Sequence, residues 1–171
     1  PRHYQWTAGP LWLRAHDTDS SINALVTARG RLFYIVDEAP ISLPGDNPVP
    51  DKWSLVARDA FNGLLLWKRR VEPWEAHLRP FRNGPPDIAR ALVATADRLF
   101  TILGYGRPLV MLDAATGETL KTYPRTEGTT EVLYLDGILY LDMSVEDSVG
   151  LDDHIGTLLA EAVAAGEINA G

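Results

Sequence analysis

Over residues 21–143 the apolar positions fall in short runs separated by polar pairs, a length and spacing that predict strands and turns. Leu25-Val26-Thr27-Ala28-Arg29-Gly30-Arg31-Leu32-Phe33-Tyr34-Ile35 reads as two strand pieces around a two-residue polar turn. Leu92-Val93-Ala94-Thr95-Ala96-Asp97-Arg98-Leu99-Phe100-Thr101-Ile102 repeats that apolar pattern and its central turn. Val132-Leu133-Tyr134-Leu135-Asp136-Gly137-Ile138-Leu139-Tyr140-Leu141 is a third copy, and its Asp136-Gly137 is the strongest hairpin signal of the three. A second motif follows two of the copies. Leu55-Val56-Ala57-Arg58-Asp59-Ala60-Phe61-Asn62-Gly63-Leu64-Leu65-Leu66-Trp67 aligns with Leu109-Val110-Met111-Leu112-Asp113-Ala114-Ala115-Thr116-Gly117-Glu118-Thr119-Leu120-Lys121. In both, an apolar strand ends at an Asp whose carboxylate can accept backbone N–H bonds. Four residues later Gly63 or Gly117 supplies a positive φ before the next strand leaves. Asp59 and Asp113 therefore read as turn formers.

The repeating unit is four short antiparallel strands, which predicts an all-β chain of propeller blades. Two blades are expected at about residues 21–71 and 88–124, with a partial third at 129–143. A segment of residues 1–20 precedes them. After them, 144–171 is expected to form an acidic stretch followed by a short helix over 155–165, from its Leu and Ala content. Leu32 and Leu99 lie much further apart than Leu99 and Leu139, so the first blade must carry extra loop. The surplus falls at 37–52 and 72–87, both too rich in proline for regular structure.

Composition narrows the chemistry. A chain of 171 residues is long enough for one sizeable core. Its net charge of −7 argues against a nucleic-acid surface or an anionic membrane as partner. No Lys or Arg follows Arg125, so the basic residues all precede a C-terminal part whose only charged side chains are carboxylates, histidine aside. Without cysteine there is no disulfide framework, thiolate nucleophile or Cys-ligated zinc. No apolar run is long enough for a membrane span. The start, Pro1-Arg2-His3-Tyr4-Gln5-Trp6, has neither an initiator Met nor the apolar core of a signal peptide, which leads to the expectation of a soluble, trimmed chain.

The strand pair followed by Asp113-Ala114-Ala115-Thr116-Gly117-Glu118-Thr119-Leu120-Lys121 resembles the repeat of quinoprotein-like (PQQ-binding-like) β-propellers, which is also seen in an outer-membrane assembly lipoprotein. Asp59-Ala60-Phe61-Asn62-Gly63-Leu64-Leu65-Leu66-Trp67 adds the terminal Trp that in such folds packs between neighbouring blades. The resemblance covers roughly residues 21–142. It implies Asp59, Gly63, Trp67, Asp113 and Gly117 as structural repeat positions, an incomplete ring, and a setting in the periplasm or cell envelope. Family members include dehydrogenases that carry a quinone with Ca²⁺ and propellers that bind or scaffold without a cofactor. None of the dehydrogenases' quinone-stacking or Ca²⁺-ligating residues maps onto this chain, so no cofactor is expected. Pyrroloquinoline quinone with calcium belongs only to an alternative reading, a truncated dehydrogenase relative.

Few residues suggest chemistry of their own. His16-Asp17-Thr18-Asp19 lacks any metal-site spacing and reads as a polar turn. Asp142, Glu146, Asp147, Asp152 and Asp153 lack the order of a Ca²⁺ loop and read as a solvated acidic stretch. Lys68-Arg69-Arg70, followed by Trp74, His77, Arg79, Phe81 and Arg82, interleaves cations and aromatics. Arg guanidinium can clamp carboxylate or phosphate, so Trp74, His77, Arg79 and Arg82 are the candidate ligand or interface residues, for a small anion or carbohydrate. Pairing of these arginines with the acidic C-terminal part is the competing account. Nucleophile elbow, zinc-binding helix and phosphate loop are all absent from the sequence. The function expected is a non-enzymatic interaction or scaffold module whose partner is a second copy of itself or further blades, because a stack of few blades leaves apolar flanks uncovered.

Overall fold

The computed structural model describes residues 5–8, 22–38, 52–72, 86–143 and 160–164. Over these the chain is mostly β, with a short 3₁₀ turn at Pro86–Ala89 and no α-helix among the described residues. The strands form three antiparallel sheets in chain order. The first holds β1 (Ile22–Ala28), β2 (Arg31–Asp37), β3 (Trp53–Asp59) and β4 (Leu65–Arg70), each paired with the next. The second repeats this order with β5 (Val93–Ala94), β6 (Arg98–Ile102), β7 (Leu109–Asp113) and β8 (Thr119–Thr122). The third sheet holds β9 (Thr129–Leu135), β10 (Ile138–Met143) and β11 (Ala160–Ala164), with β10 in the middle.

The register makes the sheets superimposable in sequence. Val26 pairs with Phe33, Val93 with Phe100 and Leu133 with Tyr140. Ala57 pairs with Trp67, and Met111 with Lys121. Two of the three hairpins turn through paired positive φ angles, Arg29 at 45° with Gly30 at 75°, and Asp136 at 50° with Gly137 at 84°. That is the primed turn whose twist matches its flanking strands. The middle hairpin closes differently: the Thr95 N–H donates to the Arg98 carbonyl, and Thr95 Oγ1 accepts from the Arg98 N–H.

Because side chains alternate across a strand, each sheet has two faces to cover. Phe33, Ile35, Leu55, Ala57 and Trp67 of the first sheet join Leu99, Val110, Leu112 and Ala114 of the second in one buried cluster, with Ile88 and Leu92 from the connection. The other face of the second sheet, with Phe100, Ile102, Leu109 and Met111, meets Val132, Leu139 and Leu141 of the third. Hence β6 and β7 are apolar nearly throughout, since both of their faces are interior. Each large side chain so buried contributes about 1.5–3 kcal/mol. On the far face of the first sheet, Tyr34, Val36 and Val56 form a separate buried cluster, and Arg58 Nε donates to Tyr34 Oη at 3.0 Å.

The helix expected over residues 155–165 is corrected by the structure: Ala160–Ala164 is β11, antiparallel to β10, with Ile138 opposite Ala164 and Leu139 opposite Val163. The remainder of that range lies outside the described residues. The physical reason is competition. A short isolated helix is marginal in water, whereas the free edge of β10 offers a row of backbone partners that outweighs the helix propensity of alanine.

Candidate functional site

The junction between the first two sheets is built from the second sequence motif. Asp113 Oδ1 accepts the backbone N–H groups of Ala115 and Thr116, both at 2.8 Å, and folds the β7–β8 connection into a tight turn. Gly117 sits in that turn at φ 76°. A side chain there would collide with Trp67, whose ring lies 2.7 Å from where a Cβ would stand. The indole of Trp67 therefore lies flush on the glycine, and its Nε1 donates to the Ala114 carbonyl at 3.1 Å. Arg69, two residues along β4, donates to the Gly117 carbonyl and to Thr119 Oγ1, both at 2.8 Å. Together the edge strand of one sheet is latched onto the turn of the next.

The same latch occurs a second time, one repeat earlier. Asp59 Oδ1 accepts the N–H groups of Phe61 and Asn62 at 2.9 Å, and Gly63 lies at φ 75°. Its missing Cβ would stand 2.6 Å from the ring of Trp6. Trp6 Nε1 donates to the Ala60 carbonyl at 3.2 Å, and Gln5 Nε2 donates to the Phe61 carbonyl. Trp6 thus holds on the first repeat the place that Trp67 holds on the second. Sequence reasoning left Trp6 without a role. No signal in its neighbours marks it, because Gln5 and Thr7 do not repeat Leu66 and Lys68 around Trp67.

The second and third sheets meet without this device. Lys121 stands at the position of Trp67, with its ammonium 4.6 Å from the centre of the Tyr123 ring. Phe100 stacks on Tyr134 at 5.4 Å, and the Val132 N–H donates to the Arg90 carbonyl. Beyond this junction the outward face of the third sheet carries Leu133 and Leu135 on β9 opposite Tyr140 and Ile138 on β10, with Glu131 opposite Asp142. Leu133 is 58% exposed and Leu135 62%. These positions match those that in the first two sheets are filled by Val26 with Phe33 and Val93 with Phe100.

Several charged residues on and beside the first two sheets have defined partners. Lys68 pairs with Glu38, which also accepts from Ser54 Oγ at 2.9 Å. Burial pushes the Glu38 carboxyl up, but Lys68 and Ser54 outweigh it and hold it below its ordinary value. Glu72 takes two nitrogens of Arg107. Asp113 is held below the usual carboxylate range by the N–H groups of Thr116 and Ala115. Trp53 is buried, and its Nε1 has no hydrogen-bond partner among the described residues.

Of the candidate ligand residues, Trp74, His77, Arg79 and Arg82 lie outside the described residues, as do His16-Asp17-Thr18-Asp19 and the acidic stretch after Met143. No group of three or more His, Asp or Glu that could hold a metal ion occurs among the described residues. No helix among them is long and apolar enough to cross a membrane. The chain matches no known protein-family model and no curated protein. It is similar to the crystal structure of the computationally designed Ika8 protein, at 14% identity and a TM-score of 0.46, over 75% of this chain. The match spans 32% of that protein's length.

Proposed function

We propose that this chain is a non-enzymatic interaction module made of quinoprotein-like propeller blades, which associates with copies of itself or with further blades of the same kind. The observation that carries the reading is the repeated latch, Trp67 on Gly117 and Trp6 on Gly63, because the device that joins the first sheet to the turn of the second recurs on the turn of the first. The exposed Leu133 and Leu135 support it from the opposite end. Apolar sheet faces of this kind mark association surfaces on soluble proteins.

The test is the absolute mass of the purified chain by light scattering across a concentration series. Mass rising above that of the 18.9 kDa chain supports association with copies of itself, and a constant monomer mass at every concentration defeats that arm of the reading. Titration with pyrroloquinoline quinone and Ca²⁺ separates it from the dehydrogenase-relative alternative. An unchanged absorbance spectrum agrees with the module reading, and a saturable change would replace it.

A further inference from the structure

Resting on the self-association just proposed, we infer that residues 5–8 of one copy complete the third sheet of a second copy as its fourth strand, so that chains join head to tail through Trp6.

The argument begins with what each end possesses. In the first sheet the latching Trp67 belongs to β4, the fourth strand, which follows and pairs with β3. Trp6 makes the same two contacts on the preceding turn, a ring against glycine and an indole N–H to the carbonyl of the alanine after the Asp. It therefore marks the fourth strand of a sheet that would lie before the first. Among the described residues no strand of such a sheet precedes β1. At the far end the situation is reversed. In the third sheet β9, β10 and β11 follow the order of β1, β2 and β3, so this sheet holds its first three strands and, among the described residues, no fourth. Among the described residues, one end carries a fourth-strand latch without the first three strands, and the other carries three strands without the fourth.

The surfaces agree with this join. With β11 aligned on Gln5–Ala8, the outward face of the third sheet would sit against the far face of the partner's first sheet. The incoming face brings Leu133 and Tyr140 together with the opposed carboxylates of Glu131 and Asp142. The receiving face carries exposed Leu25 and Arg70, beside Arg58, which donates to Tyr34 and Gly63, and Lys68, which pairs with Glu38. Opposed carboxylates on one pair of strands repel each other, and cations from a partner sheet relieve that repulsion. The contact is heterologous, since the two faces differ, and so it extends or closes into a ring.

The experiment uses two variants of the whole chain, each disabling one end. Trp6→Ala removes the latch, and Leu133→Lys with Leu135→Lys gives an already exposed face the same sign as the receiving Arg58, Lys68 and Arg70, leaving the buried clusters untouched. Each variant is checked for unchanged far-ultraviolet circular dichroism and weighed by light scattering alone and in equimolar mixture. The expected result is that each alone is monomeric and that the mixture doubles in mass and stops there, because one good end of each remains. The doubling itself shows that both variants are folded. Wild-type self-association with Trp6→Ala associating equally well, or a mixture that stays monomeric, overturns the inference and leaves the module reading standing. A wild-type chain that is monomeric throughout overturns both the inference and the self-association on which it rests.

Discussion

Arg29 holds a strained backbone, as do Arg125 and Asp136, the other non-glycine residues with positive φ among the described residues. Arg29 occupies φ 45° at the first turn position between β1 and β2, a region in which a β-carbon crowds the backbone, whereas its counterpart Asp136 belongs to a residue type that tolerates it. Arg29→Asn should raise stability by about 0.5–1 kcal/mol, read as a higher urea midpoint at unchanged slope. Asp113 makes the opposite kind of contribution. Its carboxyl is held low by the N–H groups of Thr116 and Ala115, so it titrates at lower pH folded than unfolded. The stability it adds is fully present above the unfolded value of about 3.9 and disappears as pH falls through the folded one. Asp113→Asn should therefore be less stable than wild type at neutral pH, with the gap closing in acid; a gap that is constant from pH 7 down would contradict this account. Two buried tryptophans, Trp53 and Trp67, also separate at this scale. Trp67→Phe leaves the Ala114 carbonyl without its donor and should cost about 1 kcal/mol beyond lost area, whereas Trp53→Phe removes an N–H that has no partner and should cost less, by thermal melts of both.

At the scale of elements, the decisive unit is the Asp-x-x-x-Gly turn together with the strand that leans on it. Gly117 needs its missing side chain twice, for a φ of 76° and for the Trp67 ring 2.7 Å from its absent Cβ. Gly30 needs it only for a φ of 75°, since nothing approaches within 4 Å. Gly117→Ala should thus lose about 2–4 kcal/mol and Gly30→Ala about 1–2, the difference being the displaced indole. Equal losses measured by denaturant unfolding would mean that the latch does not hold the sheets together. Much of this unit was legible in the sequence, because an Asp at a strand end and a Gly four residues on act through bonds to their own neighbours. Trp6 was not legible. Its contacts reach Ala60 and Gly63, far along the chain, and nothing around Trp6 repeats the strand that carries Trp67. β11 was misread for the complementary reason, that the helix preference of Ala160-Glu161-Ala162-Val163-Ala164 is outweighed by the edge that β10 offers.

For the whole molecule, charge and apolar surface are distributed along one axis. Every Lys and Arg lies at or before Arg125, while the third sheet adds only carboxylates, so the two ends of the stack differ in sign as well as in shape. A head-to-tail contact between such ends should weaken with ionic strength. Between about 0.1 M and 1 M salt the screening length falls from about 10 Å to about 3 Å, and association should weaken by about an order of magnitude while the melting temperature changes little. Sedimentation velocity over a salt series measures this, and association that strengthens with salt would point to a purely apolar contact instead.

What the sequence determined by itself is the local layer: where strands run, where hairpins turn, and which Asp and Gly shape the connections. Those features depend on period, on backbone conformation and on bonds within a few residues. What only the tertiary structure decided is which faces are covered. It placed Trp6 as a second Trp67, drew an alanine-rich segment onto the edge of β10, and left Leu133 and Leu135 outward. Each of these depends on surfaces brought together from distant parts of the chain, where burial and edge pairing outweigh the preferences of the residues concerned.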